Sequence, residues 1–306
     1  MNGNALDLAI LVLVPPLLPA VIARTKAFFA GRRGQPLLQP YRDILRLLRK
    51  DAVYSRTTTW VFRAGPLVSC ATALAAGAVL PLSASRHAGG FSGDIVVFAY
   101  LLGLGRFFTM AAALDTGSSF EGMGASREAA FSSLAEPALF VALAILAINA
   151  RALSFAGTFG ALTWSMWGWN APVLLVACLA IGVVLLAENA RIPIDDPNTH
   201  LELTMVHEVM VLDHGSVDLA LVQYGSAVRL FVFGALFLHT VLPHLEVSHS
   251  TGAAILLAGE LAVAVMVGVV ESVMARLRLP RVPQVLAGAG LLAAIGLIIQ
   301  LARSAR

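Results

Sequence analysis

Residues 188 to 208 read ENARIPIDDPNTHLELTMVHE, and this stretch sets five carboxylates, two histidines and an arginine between two apolar runs. Carboxylates and imidazoles held close together shift one another toward titration near neutral pH. Asp195, Asp196, Glu202, His207 and Glu208 therefore have the chemistry to take up protons and pass them on. Pro193 and Pro197 forbid a continuous helix and push the residue before each toward extended geometry. Thr199 and Glu202 have the spacing of a capping box that would restart a helix, which gives Glu202 a purely local alternative role. On that restarted helix His200, Thr204, His207, Val211 and His214 would form one stripe. No metal site is expected here, because the pattern is HExxx rather than HExxH and no cysteine joins it.

Acids also occur inside apolar runs. An ionisable group at membrane depth costs about 2.5–3.5 kcal/mol on insertion scales and usually faces the bundle interior, a water cavity or a partner charge. Glu136, just before Pro137, reads either as a proton-pathway group or as half of an ion pair with an arginine. Glu260 and Glu271 are eleven residues apart, about 20° beyond three full helical turns, so they share one face about 16 Å apart. Arg229, in the preceding apolar run, offers a counter-charge for that face. A structural ion pair and a hydrated proton route both fit this arrangement. Asp115, Glu121, Arg127 and Glu128 fall in a polar stretch that reads most simply as a solvated loop with a mixed ion pair.

The elements that position these groups follow from composition. The chain has 306 residues, 58% hydrophobic and 13% charged, with a mean hydropathy of +0.82. A soluble domain of that size leaves too much area facing water to hide so much apolar surface, so lipid must solvate much of the chain. Cys70 and Cys178 lie far apart in apolar runs, which excludes iron–sulfur, zinc and disulfide frameworks and leaves two small buried hydrophobes. Runs long enough to cross a membrane occur at about 5–23, 61–82, 94–114, 131–150, 171–188, 217–241, 252–274 and 283–302. The first is expected to be a membrane anchor, not a cleavable signal, because its basic residues follow it.

The reading is an all-α, polytopic membrane protein of eight transmembrane helices. It forms one integral membrane domain, 1–306, with inner loops at about 24–60, 115–130, 189–216 and 275–282. Fifteen lysines and arginines fall on the inner side and four on the outer, which predicts both termini outside. Trp164, Trp167 and Trp169 mark one outer boundary and Trp60 an inner one. In the first inner loop Tyr41, Ile44, Leu45 and Leu48 recur at helical spacing, with Arg42, Arg46 and Arg49 on another face. That pattern predicts an amphipathic helix in the membrane interface, able also to serve as a docking floor. The sequence shows no internal repeat, and its polar chemistry gathers at the inner surface. Both features argue against an autonomous secondary transporter.

ENARIPIDDPNTHLELTMVHE resembles the signature loop of the membrane subunit shared by respiratory complex I (its subunit 1, or H) and the group 4 [NiFe] hydrogenases. GRRGQPLLQPYRDILRLLRK resembles that family's first inner loop. LDTGSSFEGMGASREAAFSSLAEPAL and ESVMARLRLPRVPQ look like the hydrogenase-4 and formate hydrogenlyase branch. The resemblance covers essentially the whole chain. Glu188, Arg191, Pro193, Asp195, Glu202 and Leu203 keep the frame of the quinone-reducing branch, but Ile194 and Asp196 replace its Phe and Leu. Asn198 and His200 stand where two of its acids would be, which favours the hydrogenase branch over the quinone-chamber alternative.

The resemblance implies a non-catalytic heel subunit that binds no cofactor itself. It would anchor peripheral hydrogenase-like large and small subunits and an iron–sulfur subunit. Those partners would carry [4Fe–4S] clusters and, where its ligands persist, a [NiFe] centre. Electron transfer there would be linked to proton or sodium movement through antiporter-like membrane subunits of a prokaryotic cell membrane. The proton or ion pathway would use Glu136, Glu188, Glu202, His207, Glu208, Arg229, Glu260 and Glu271. Docking and coupling would fall to Arg42, Arg46, Asp115, Glu121, Arg127, Glu128, Arg191, Asp195, Asp196, Arg276 and Arg278 on the inner loops.

Overall fold

Two adjacent prolines decide how the chain enters the bundle. Pro15 and Pro16 lack the N–H groups that would bond back to Leu11 and Val12, so the first apolar run cannot be one straight helix. In the computed structural model, which describes residues 3–83, 90–195, 206–245 and 247–304, this run forms α1 (Gly3–Leu13) and α2 (Leu17–Phe29), bent by 47°. Hydrocarbon offers no water to a freed carbonyl, so the protein supplies partners. The Tyr41 hydroxyl donates to the Leu13 carbonyl, and the Tyr224 hydroxyl donates to that of Val12 at 2.9 Å. The single span expected at 5–23 is therefore a broken one that runs on to Phe29.

The first inner loop folds as α3 (Gln39–Leu47), which packs against α2 and α9. Then come α4 (Trp60–Val79), α5 (Asp94–Asp115), α6 (Ser119–Ala150), the short α7 (Phe155–Ala161), α8 (Trp164–Glu188), α9 (Ser216–Val241), α10 (His249–Val273) and α11 (Val282–Ser304). All regular structure among the described residues is helical. Among the described residues seven helices are long and apolar enough to cross a membrane, and the bent α1–α2 pair is an eighth candidate. Helix α4 lies between α5 and α9, α11 covers α6 and α8, and α10 joins α2 to α9. Phe98, Phe155, Phe231 and Phe233 fill the interior, while Leu291, Ile295 and Ile298 of α11 face outward. Trp60, Trp164 and Trp169 are largely exposed near helix ends, as membrane-boundary aromatics are. Cys70 and Cys178 are buried free thiols.

Three expectations about boundaries need correction. Helix α6 begins at Ser119, twelve residues before the expected start, so most of the expected loop 115–130 is helix. Nothing in SFEGMGASREAAF breaks a helix, and Gly124 gives this turn a close neighbour. A Cβ there would lie 3.0 Å from the Val206 carbonyl and 2.9 Å from Met210 Cγ, so the loop after residue 205 seats directly on α6. Helix α8 begins at Trp164 and kinks at Asn170, two residues before Pro172, close to where the sequence placed its start.

The third correction concerns the restarted helix. Residues 196–205 lie outside the described residues, and with them Asp196, His200, Thr204 and the proposed Thr199–Glu202 cap. From Val206 onward the chain makes only a 3-10 turn at Glu208–Val211, so His207 and His214 share no helical stripe. Val206, Val209 and Met210 turn inward and are buried, while the His207 backbone N–H donates to Asp195 instead of to a helical carbonyl.

Candidate functional site

Helix α8 delivers Glu188 and then stops. Its end is closed by the bond from Arg191 N–H to the Leu186 carbonyl, with Ala190 in the left-handed region (φ 50°) that glycine usually occupies. This turn throws the inner loop back across the bundle. The Pro193 carbonyl accepts from Leu277 N–H at 2.9 Å, which ties this loop to the one carrying Arg276.

Arg106 is the hub of the site. It lies within α5, is 5% exposed, and meets carboxylates from two other helices. Its Nε is 3.2 Å from Glu128 Oε1, one Nη donates to Glu136, and the other donates to Glu188. Glu128 continues the chain of contacts, with Oε2 3.3 Å from His207 Nε2. His207 Nδ1 is 3.2 Å from Asp195 Oδ2, and Asp195 Oδ1 accepts from Arg276 at 3.0 Å. One unbroken series therefore runs from Glu136 and Glu188 through Arg106, Glu128, His207 and Asp195 to Arg276 at the basic loops.

Charge counting shows what this series can hold. Arg229 donates to Ser69 Oγ at 2.8 Å and is within electrostatic reach of Arg106, Glu188 and Glu128. Among the described residues Arg106, Arg229 and Arg276 thus face the carboxylates of Glu128, Glu136, Glu188 and Asp195, with His207 set between two of them. Burial disfavours charge on His207, but the carboxylates of Glu128 and Asp195 outweigh it and raise its pKa above the ordinary histidine value.

The pH dependence follows from the sign of that shift. A folded value above the unfolded one, about 6.5, makes the anchoring of His207 complete below that pH and lost as pH rises through the raised value. A spin label at Leu212→Cys is expected to be least mobile below about pH 6.5 and to loosen at higher pH. The His207→Gln variant is expected to flatten that profile. Equal mobility at all pH in the unsubstituted loop would show that His207 does not anchor it.

A second cluster surrounds Glu271 on α10. Its side chain is fully buried, 2.8 Å from Lys26 Nζ of α2 and 3.6 Å from Arg191 Nη1. Its counter-charges are therefore Lys26 and Arg191, not Arg229 as the sequence suggests. Lys26, Arg191, Arg229, His207, Glu208 and Glu271 line a cavity of about 750 Å³ that is roofed by Pro40, Asp43 and Ile44 of α3 and walled by Ile22, Pro66 and Met210.

The remaining sequence candidates divide by place. Asp115 caps α4, accepting from Thr59 N–H at 2.6 Å and Phe62 N–H at 3.3 Å, a favourable position for an anion. Glu121 is buried and accepts from Asp213 N–H at 3.3 Å, fastening the end of the inner loop. Arg42, Arg46 and Arg278 are exposed, and Arg46 pairs with Asp43 at 3.0 Å. Arg127 is half-buried, one residue before Glu128 on α6. Glu260 is fully buried in α10 against Gly234 of α9, and neither carboxyl oxygen has a hydrogen-bond partner among the described residues. Asp196 and Glu202 lie outside the described residues.

Sequence reading missed Arg106 and Lys26 as partners. The signal was present, since an arginine at membrane depth must find counter-charges.

Comparison with known proteins agrees with this architecture. The chain is 35% identical to hydrogenase-4 component C of Escherichia coli (strain K12) over 237 residues, covering 76% of this chain and 73% of that protein. It is 30% identical to formate hydrogenlyase subunit 4 of the same organism over 286 residues, covering 90% of this chain and 91% of that one. Its fold matches a chain of the membrane-bound sulfane sulfur reductase, an archaeal respiratory membrane complex. That match has a TM-score of 0.79 and 19% identity, covering 97% of this chain and 98% of the other. The family model described as NADH dehydrogenase matches residues 5–302. The chain belongs to the NADH dehydrogenase family, as a multi-pass membrane subunit of the complex I subunit 1, or H, type.

Proposed function

We propose that this chain is the heel subunit of a complex I-like, energy-converting complex of the hydrogenase-4 or formate hydrogenlyase type, and that it couples electron transfer in a peripheral arm to proton translocation. The observation that carries the reading is the series from Glu136 to Arg276. It joins acids inside the bundle to the basic loops, in a chain 35% identical to hydrogenase-4 component C and 30% identical to formate hydrogenlyase subunit 4. The exposed Arg42, Arg46 and Arg278 would receive the peripheral hydrogenase-like subunits, which would carry the [4Fe–4S] clusters and, with its ligands kept, a [NiFe] centre. Helix α3 would lie along the membrane interface beside them, with Leu45 and Leu48 toward lipid. Antiporter-like subunits would continue the ion path in the plane of the membrane. Both termini would face the outer, periplasmic side, as the basic inner loops require.

The test is purification of the tagged chain from its own membranes in mild detergent. The expected result is a stable multisubunit particle whose large subunit carries two CxxC pairs. A chain that purifies alone and transports an ion alone would overturn the reading.

A second reading has one observation in its favour. The cavity beneath α3 has an apolar wall and a charged floor, the shape a quinone chamber needs. Quinone retained in the purified particle, displaced by a quinone-site inhibitor, would favour that reading over the first.

A further inference from the structure

At the end of the bundle opposite the basic loops, three side chains from distant parts of the chain meet. Ser83 Oγ donates to the carboxylate of Asp7 on α1 and lies 2.8 Å from Nε2 of His249, the first residue of α10. His249 Nε2 is in turn 3.5 Å from Asp7 Oδ1. Asp7 is 5% exposed and Ser83 7%, while the His249 side chain is 31% exposed, so two buried groups meet a partly exposed imidazole. Gly252 makes it possible, since any Cβ there would collide with the Ser83 carbonyl. The order of contacts is not that of a nucleophilic triad. The hydroxyl sits between the acid and the imidazole and bonds to both, whereas an activated serine needs the imidazole in the middle. Such an arrangement relays a proton.

A cavity of about 390 Å³ opens beside this group, lined by Ser83, His239 of α9, His244 of the following loop, Leu238 and Leu256. Leu256 is one helical turn from Glu260 on α10, and Leu238 is one turn from Gly234 on α9. Gly234 is the residue against which Glu260 packs, and a Cβ there would lie 2.5 Å from Glu260 Oε2. Glu260 is fully buried without a hydrogen-bond partner among the described residues, and no charged side chain pairs with it there. An isolated carboxylate in hydrocarbon is costly, so Glu260 is held in its protonated form and carries a proton it can give up only to a nearby acceptor. The inner clusters around Arg106 and Glu271 do not reach it.

We propose that Asp7, Ser83 and His249, with the histidine-lined cavity beside them, form a proton-exchange site through which Glu260 communicates with the face opposite the basic loops. The proton leaves the Glu260 carboxyl, passes along water admitted through the cavity and is accepted by a ring nitrogen of His249, whose positive charge Asp7 balances, while the carboxylate left on Glu260 is short-lived. The reverse sequence loads Glu260. The inference rests on the proposed proton-coupled function only for its use, because the site itself works without electron transfer.

The test uses the assembled complex in sealed vesicles of one orientation, with no electron donor present. An acid-to-alkaline pH jump is applied to one compartment at a time. The protonated-carboxyl C=O infrared band that Glu260→Gln removes is followed. The expected result is that the band responds to the compartment opposite the basic loops. Asp7→Asn and His249→Gln should each slow that response on the order of a hundredfold, the contribution of a positioned proton-transfer group. A band that follows the other compartment, follows neither, or responds equally fast in both variants would overturn the proposal. Failure of redox-driven transport would leave this result standing, and failure of this result would leave the inner series untouched.

Discussion

Arg106→Gln is expected to destabilise the protein by about 3–5 kcal/mol, the cost of leaving buried charges without their partner. Arg106 is the shared counter-charge of Glu128, Glu136 and Glu188, and removing it sets three carboxylates against each other around a neutral amide. Arg229 is near but bonds to Ser69, so it cannot replace a guanidinium that reaches all three acids at once. The effect is measured as the midpoint shift in detergent-induced unfolding, together with the amount of chain found in the membrane. Adding Glu188→Gln to the variant removes one of the stranded charges and should recover about 1 kcal/mol or more, the coupling expected of residues in contact. A single variant as stable as the unsubstituted protein would mean that the three acids are neutral without Arg106.

The second large effect is on transport. Glu136→Gln is expected to abolish most proton translocation while the complex still assembles and still transfers electrons. The reason lies in how Glu136 differs from its neighbours around Arg106. Its side chain is 42% exposed, against 9% for Glu128 and 6% for Glu188, so it forms the open end of the series. Neutralising it is expected to cost little folding energy, because Arg106 keeps its ion pairs with Glu128 and Glu188. It does remove a group that can alternate between holding a proton and holding Arg106. The measurement is dye-detected proton movement in sealed vesicles, recorded beside the rate of electron transfer. Parallel loss of both activities would point to a structural part for Glu136.

Much of the fold was legible because lipid leaves few alternatives. A spanning backbone must satisfy its own hydrogen bonds, so apolar runs of sufficient length become helices. What hydropathy could not show was local backbone geometry. The Pro15–Pro16 break was written in the sequence, but the tyrosines that complete it come from positions 41 and 224. The early start of α6 was hidden by a polar stretch that reads as loop by composition and as helix by propensity.

The site was legible as an inventory more than as an arrangement. The acids of the inner loop and Glu136 stood out because charge is rare in such a chain. Their pairing did not, because it depends on which helices lie side by side. Arg229 is nearer in sequence to Glu260 and Glu271 than Lys26 is, yet α2 packs on α10 and brings Lys26 to Glu271. Asp7, Ser83 and His249 carry no local pattern at all, and only the closed bundle brings them together.

The central claim is that the inner acids form one continuous route, and Glu128 is where it can be cut. Among the described residues it alone touches both Arg106 and His207. The decisive measurement is the number of protons moved per electron by the assembled complex carrying Glu128→Gln, compared with the unsubstituted complex in the same vesicles. The route predicts a ratio that falls toward zero, because the series is broken between Arg106 and His207, with electron transfer and subunit composition retained. An unchanged ratio in a fully assembled variant would contradict it.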